Sequence, residues 1–304
     1  MTAFTQQPVD PALTVDRLGA TTAMGAVTLY VADLDGMVAY YRDGVRLDLL
    51  RQEGASAVLG RQAPGRAPEP VVVLEHSPTL AAATPGSAGL FHVAVLYEQR
   101  ADLAASVLSL AEKYPQTYVA NQDHLVSQAF YFTDPEGNGV ELYWDRDRAD
   151  WDWVDGQVQM DNLAFDPNAF VTSHVDEAAV RDAQVRPASV GHVHLSVGDI
   201  DTARDFYVST LGFAQTFVMH GTALFVSAGG YHHHMAMNVW NSRGAGLRAP
   251  ALGLGLVRIA LPDRQAIDHV VERMRDHGVD TRDEGATVSF DDPWANRIEL
   301  SVTG

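Results

Sequence analysis

His92, His192 and Glu141 carry the strongest chemical signal in the sequence, because each falls at a corresponding place in an internal repeat. His92 lies in GLFHVAV and His192 in GHVHLSV, and both segments alternate like a half-buried strand. Glu141 lies in YFTDPEGNGVEL, whose second copy, SFDDPWANRIEL, carries Glu299 at the same place. Two imidazoles and one carboxylate are the ligand set of a mononuclear non-heme Fe(II) site with open coordination positions, and Mn(II) suits the same ligands. The chain has no cysteine, which excludes disulfides, thiolate nucleophiles, Cys-ligated zinc and iron–sulfur clusters. A single histidine on a strand is more often structural than a ligand, so the shared repeat position is what distinguishes these two. His76, His174, His220, His269 and His277 have no such context and read as surface or structural residues.

Four stretches share one pattern of a strand, a helix and about three further strands. They span 22–80, 88–146, 188–243 and 251–303, hereafter units 1 to 4, with a connector over 147–187. Asp33 and Asp199 stand just before the helical periodicity of units 1 and 3, where an N-cap is wanted. Asp134-Pro and Gly137-Asn138-Gly139 mark a turn into the last strand of unit 2. The repeat predicts an α+β fold of four βαβββ modules. Aligned by sequence, the first strands place Ala26, His92, His192 and Arg258 in register, and the last strands of units 2 and 4 place Glu141 with Glu299.

The formal charge of −18 speaks against nucleic acid or an anionic membrane as a partner, since both favour a basic face. No apolar run reaches the roughly 18 residues of a membrane-spanning helix, and the N-terminus does not read as a secretory signal. The expected compartment is the cytoplasm, and edge strands make a homo-oligomer the expected assembly.

GLFHVAV, DHLVSQAFYFTDPEGNGVELYWDR, GHVHLSVGDI and SAGGYHHHMAMNVWN together resemble the vicinal oxygen chelate superfamily. Its members include glyoxalase I, fosfomycin and bleomycin resistance proteins and the type I extradiol dioxygenases. The catechol 2,3-dioxygenase-like branch is the one these motifs match best, over nearly all the chain outside the connector and the N-terminus. The resemblance implies paired βαβββ modules cupping a metal, here Fe(II) or Mn(II) on His92, His192 and Glu141. It implies extradiol cleavage of a small aromatic diol with dioxygen as co-substrate, giving a yellow semialdehyde or keto acid, as in aromatic hydrocarbon catabolism. His124 and Tyr131 would then bond the substrate hydroxyls, His233 would act as acid and base near the dioxygen, and His194 would contact substrate. YHHHMAMN reads as an alternating strand, with His232 and His234 on one face and His233 on the other. Asn238 and Trp240 follow as further lining residues.

Many extradiol enzymes pair modules in sequence order. Here units 3 and 4 would offer His192, Arg258 and Glu299, and an arginine there suits Glu299 better than a metal. Units 1 and 2 would offer Ala26, His92 and Glu141, one ligand short. Pairing unit 2 with unit 3 completes the set and leaves units 1 and 4 as a metal-free half, so this nested pairing is expected. Two other functions compete. A glyoxalase-like isomerase or lyase usually wants a second carboxylate on the metal, and MAMN in unit 3 offers none. A metal-free binding protein of the resistance type would leave the full ligand set without a purpose.

Overall fold

The computed structural model describes residues 17–181, 186–219 and 221–303, so His220 lies outside the described residues. A two-residue strand, Ala23–Met24, pairs with unit 4, and each unit leads with a main strand: Val27–Val31, Gly89–Tyr97, Ala188–Ser196 and Gly253–Leu261. Each strand leads into a helix: Leu34–Ala39, Arg100–Lys113, Ile200–Arg204 and Arg264–Asp276. Three strands follow, the last being Glu69–His76, Gly139–Asp145, Met235–Asn238 and Arg297–Val302. The fold is thus α+β, with four βαβββ units. Asp33 and Asp199 cap their helices by accepting from the amides of Gly36 and Thr202.

The strands form two large sheets. In one, the first strands of units 2 and 3 lie side by side and antiparallel, flanked by the remaining strands of each unit. In the other, the first strands of units 4 and 1 pair in the same way. Alternation assigns the two faces of each first strand. Val93, Val95 and Tyr97, with Val193, Leu195, Val257 and Ile259, join the helices in one continuous buried core. In the sheet of units 2 and 3, His92, Ala94, His192 and His194 turn away from this core, and Ala94 packs with Ala129 and Tyr143 instead.

Turns tie the two sheets together. The Asp134 carboxylate is buried and accepts from the amides of Glu136 and Asn138, from Asn138 Nδ2 and from Tyr41 Oη of unit 1 at 3.1 Å. Asp292 repeats the arrangement with Trp294, Asn296 and Tyr207 Oη of unit 3 at 2.9 Å. Each tyrosine therefore reaches from one sheet to a turn of the other. Tyr41→Phe removes one donor to a buried charge and is expected to cost about 1.5–3 kcal/mol. Urea denaturation measures that cost, and ligand binding per folded molecule should not change.

The connector adds a short hairpin, Trp153–Val154 with Gln157–Val158, and the helices Pro167–His174 and Glu177–Arg181. A bridge between Asp123 and Leu163 holds it against unit 2. Trp151 is buried on the rings of Tyr231 and His232, whereas Trp153 is largely exposed. Among the described residues no helix is long and apolar enough to cross a membrane.

Candidate metal centre

Strand register brings the three ligand-type residues together. Val93 opposes Val193 at a local two-fold, which sets His92 opposite His194 and His192 opposite Ala94. On the other side Ala94 neighbours Glu141 in the parallel ladder. Ala94 thus sits between Glu141 and His192. Gly191 is required next to His192, because any Cβ there would strike the Tyr143 hydroxyl.

His92 Nε2 and His192 Nε2 lie 2.9 and 3.0 Å from Glu141 Oε2, and 3.4 Å from each other. Cis ligands about 2.1 Å from one ion stand about 3.0 Å apart, so the triad fits a single first-row divalent cation. All three residues are buried. Burial alone would raise the Glu141 carboxyl, but the two imidazoles hold it well below the usual carboxylate range. Burial lowers His192 to about 4 against the pull of Glu141, so its lone pair is available at neutral pH.

Four further residues named from the sequence as acting on substrate surround this triad. His124, Tyr131, His194 and His233 line the same cavity, of about 670 Å³, as do all three triad residues. His124 Nδ1 lies 3.1 Å from the Asp161 carbonyl, which must accept, so His124 Nε2 accepts from Tyr131 Oη at 2.7 Å. Burial and the Glu141 charge raise Tyr131 well above the usual phenol range, keeping it protonated. His194 packs edge to face on His92, with ring centroids 4.9 Å apart, and its Nε2 is 3.0 Å from Asn238 Nδ2. Trp240 lines the cavity; Asn238 stands behind it as the partner of His194.

Two expectations need correction. Arg258 is not the counterpart of His92: Arg258 pairs with Glu299 as Ala94 pairs with Glu141, which puts Leu256 at the His92 position. At the place of Ala94, Arg258 pairs with the carboxylate, its Nε 2.7 Å from Glu299 Oε1. The histidine run is also not an alternating strand. The strand begins at Met235, after a turn in which Gly229 and Gly230 take φ of 62° and 69°. His232 and His233 turn the same way and meet through Nδ1 at 2.7 Å. His234 turns elsewhere, onto Phe213 and Ser227.

His234 Nδ1 also accepts from the Ala228 amide at 3.2 Å. Burial pushes His234 down to about 3. The unfolded chain binds this proton below about 6.5 and the folded chain does not, so stability falls as pH drops from about 6.5 toward 3. The expected slope is up to about 1.4 kcal/mol per pH unit. His234→Asn, which keeps an acceptor without a proton site, should remove one proton's worth of that slope in urea titrations of the metal-free protein.

Asp145 was not singled out from the sequence. It accepts from His232 Nε2 at 3.0 Å and from Tyr231 Oη at 2.8 Å. Period-2 alternation along Glu141, Tyr143 and Asp145 was the available signal.

A family model described as the Glyoxalase/Bleomycin resistance protein/Dioxygenase superfamily matches residues 23–142 and 189–300. A catechol-2,3-dioxygenase from Bacillus subtilis (strain 168) is 31% identical over 276 residues, covering 90% of this chain and 94% of that protein. Among solved structures, a putative dioxygenase from Bacillus subtilis subsp. subtilis str. 168 overlays with a TM-score of 0.65 at 14% identity, covering 94% of this chain and 86% of that one. Glyoxalase I from Zea mays overlays with a TM-score of 0.56 at 17% identity, covering 93% and 92%. At those identities the overlays speak for the fold alone. With both halves of the chain matched, and with four βαβββ units in two sheets, the protein belongs to the glyoxalase/bleomycin resistance/dioxygenase superfamily.

Proposed function

We propose that the protein is an Fe(II)-dependent extradiol dioxygenase, cleaving an uncharged catechol beside its vicinal hydroxyls to a yellow semialdehyde or keto acid. The observation that carries this reading is the buried His92–His192–Glu141 group at the wall of a cavity, with protonatable side chains beside it. The 31% identity to a protein named catechol-2,3-dioxygenase supports it. His92, His192 and Glu141 would hold the metal, which supplies a template for the diol and dioxygen and a path for electrons between them.

The chain's own groups handle protons and shape. Tyr131 donates to His124, so it can take a proton from a substrate hydroxyl as it passes its own to His124 Nε2. His233, whose ring centroid is 4.1 Å from that of His192, would hold a proton during ring opening. Phe91 and Trp240 meet edge to face at 5.2 Å and offer a flat apolar wall. Met160, Phe217, Met219 and Phe225 form a second wall. Among the described residues lining the cavity there is no Lys or Arg, while Asp161 adds a carboxylate. A carboxylated catechol would meet no countercharge there. A glyoxalase-type site would want a second carboxylate from unit 3, yet Ala236 occupies the register of Glu141, opposite His194.

Protein reconstituted anaerobically with Fe(II) tests the reading. On admission of air, catechol and 3- or 4-methylcatechol should give stoichiometric oxygen uptake and a yellow product. 3,4-Dihydroxybenzoate should react with a kcat/KM at least about tenfold lower. Retained iron with no oxygen uptake from any catechol would overturn the reading.

A further inference from the structure

Behind His233 lies a hydrogen-bonded chain with one self-consistent direction. The Asp145 carboxylate only accepts, and it takes the Tyr231 hydroxyl at 2.8 Å and His232 Nε2 at 3.0 Å. With the Tyr231 proton spent there, the Tyr143 hydroxyl, 2.7 Å away, donates to the Tyr231 oxygen. With its own proton on Nε2, His232 presents the lone pair of Nδ1, and His233 Nδ1 stands 2.7 Å from it. With both rings neutral, one of the two facing nitrogens must donate, so the proton lies on His233 Nδ1. His233 lines the cavity, and Nε2 is the nitrogen left to face a substrate, bare.

We propose that Asp145 and His232 are positioning residues that lock His233 into the Nδ1–H tautomer, with the Nε2 lone pair open to the cavity. Their place in catalysis rests on the reading of His233 as the acid and base of ring cleavage. The surroundings are built to hold the chain in place. His232 is fully buried between Tyr231, at a ring distance of 4.1 Å, and Trp151, at 5.2 Å. Thr216 Oγ1 donates to the His232 carbonyl at 2.6 Å and fixes its backbone. Asp145 comes from unit 2, His232 and His233 from unit 3, and Trp151 from the connector, so three parts of the chain converge on one proton position. A site on which a single histidine must first accept and then return a proton benefits from one tautomer, since the alternative would present N–H where a lone pair is required.

Metal-free protein labelled with 15N-histidine tests this without any turnover. Long-range proton–nitrogen correlation spectra, assigned with single-histidine variants, should show His233 protonated on Nδ1 and bare on Nε2, and His232 the reverse. His232→Phe should give His233 a mixture of tautomers, and His232→Gln, whose amide oxygen restores an acceptor, should recover the Nδ1–H form. In the Fe(II)-loaded protein His232→Phe should lower kcat about 10- to 100-fold with KM within about twofold, and His232→Gln should recover part of that loss. A wild-type His233 with its proton on Nε2 overturns the proposal, as does a tautomer that ignores His232→Phe. If His232→Phe does not fold, the wild-type spectrum decides alone. The expected tautomers in a protein that consumes no catechol would uphold the lock and count against ring cleavage instead.

Discussion

Glu141→Ala is expected to leave a folded protein that no longer retains iron, with oxygen uptake at background. Glu141 is the one anion of the triad, and both imidazoles lean on its Oε2 at 2.9 and 3.0 Å. A buried divalent cation held by two neutral imidazoles alone would keep both its charges uncompensated in a poorly solvated site. The loss in metal affinity should reach about three orders of magnitude, or roughly 4 kcal/mol. Metal analysis after desalting measures it directly. Glu299→Ala is the matched control, because Glu299 pairs with Arg258 in the other sheet and its loss should leave iron content unchanged. Full iron content in Glu141→Ala would show that the triad is not the metal site.

His124 and Tyr131 should behave as one catalytic unit, with the metal retained throughout. Each alone is expected to lower kcat by about 10²–10³ when replaced, as His124→Ala or Tyr131→Phe, because each depends on the other's proton. The double variant should lose little more than either single one, a non-additivity that marks a shared step. The 2.7 Å contact between them and the Asp161 carbonyl behind His124 fix the direction of donation. Additive losses in the double variant would mean that the two residues serve separate steps.

The parts of this arrangement that a single strand can announce were legible in the sequence. The two histidine strands repeat a local pattern, and so do the Asp-Pro turns and the helix caps at Asp33 and Asp199. Helix and strand periods are properties of neighbouring residues, so repetition exposes them. Register between strands is not such a property. The sequence set Arg258 beside His92 because each is the polar residue of an apolar run. The ladder to the last strand moves that match by two residues and brings Leu256 to the place of His92. An irregularity between Leu254 and Leu256 adds a further offset against unit 1. The histidine run misled for a related reason: side-chain bonds and a glycine turn hold it, and alternation applies only from Met235 onward. Asp145 escaped notice because its partner is remote in the chain, 87 residues away.

Arg258 gives the half built from units 1 and 4 a cation that cannot diffuse away. Where the opposite sheet would draw its positive charge from solution, this one carries it on a side chain, so its folding should be indifferent to metal supply. The two sheets of one chain therefore offer an internal pair for comparison: chelation should loosen hydrogen exchange around His92 and His192 and leave the strands around Glu299 untouched. With Glu299 already in place, Leu256→His and Arg258→Ala, together with Ala26→His where the register continues past Thr28, would give units 1 and 4 the same residue types as the triad.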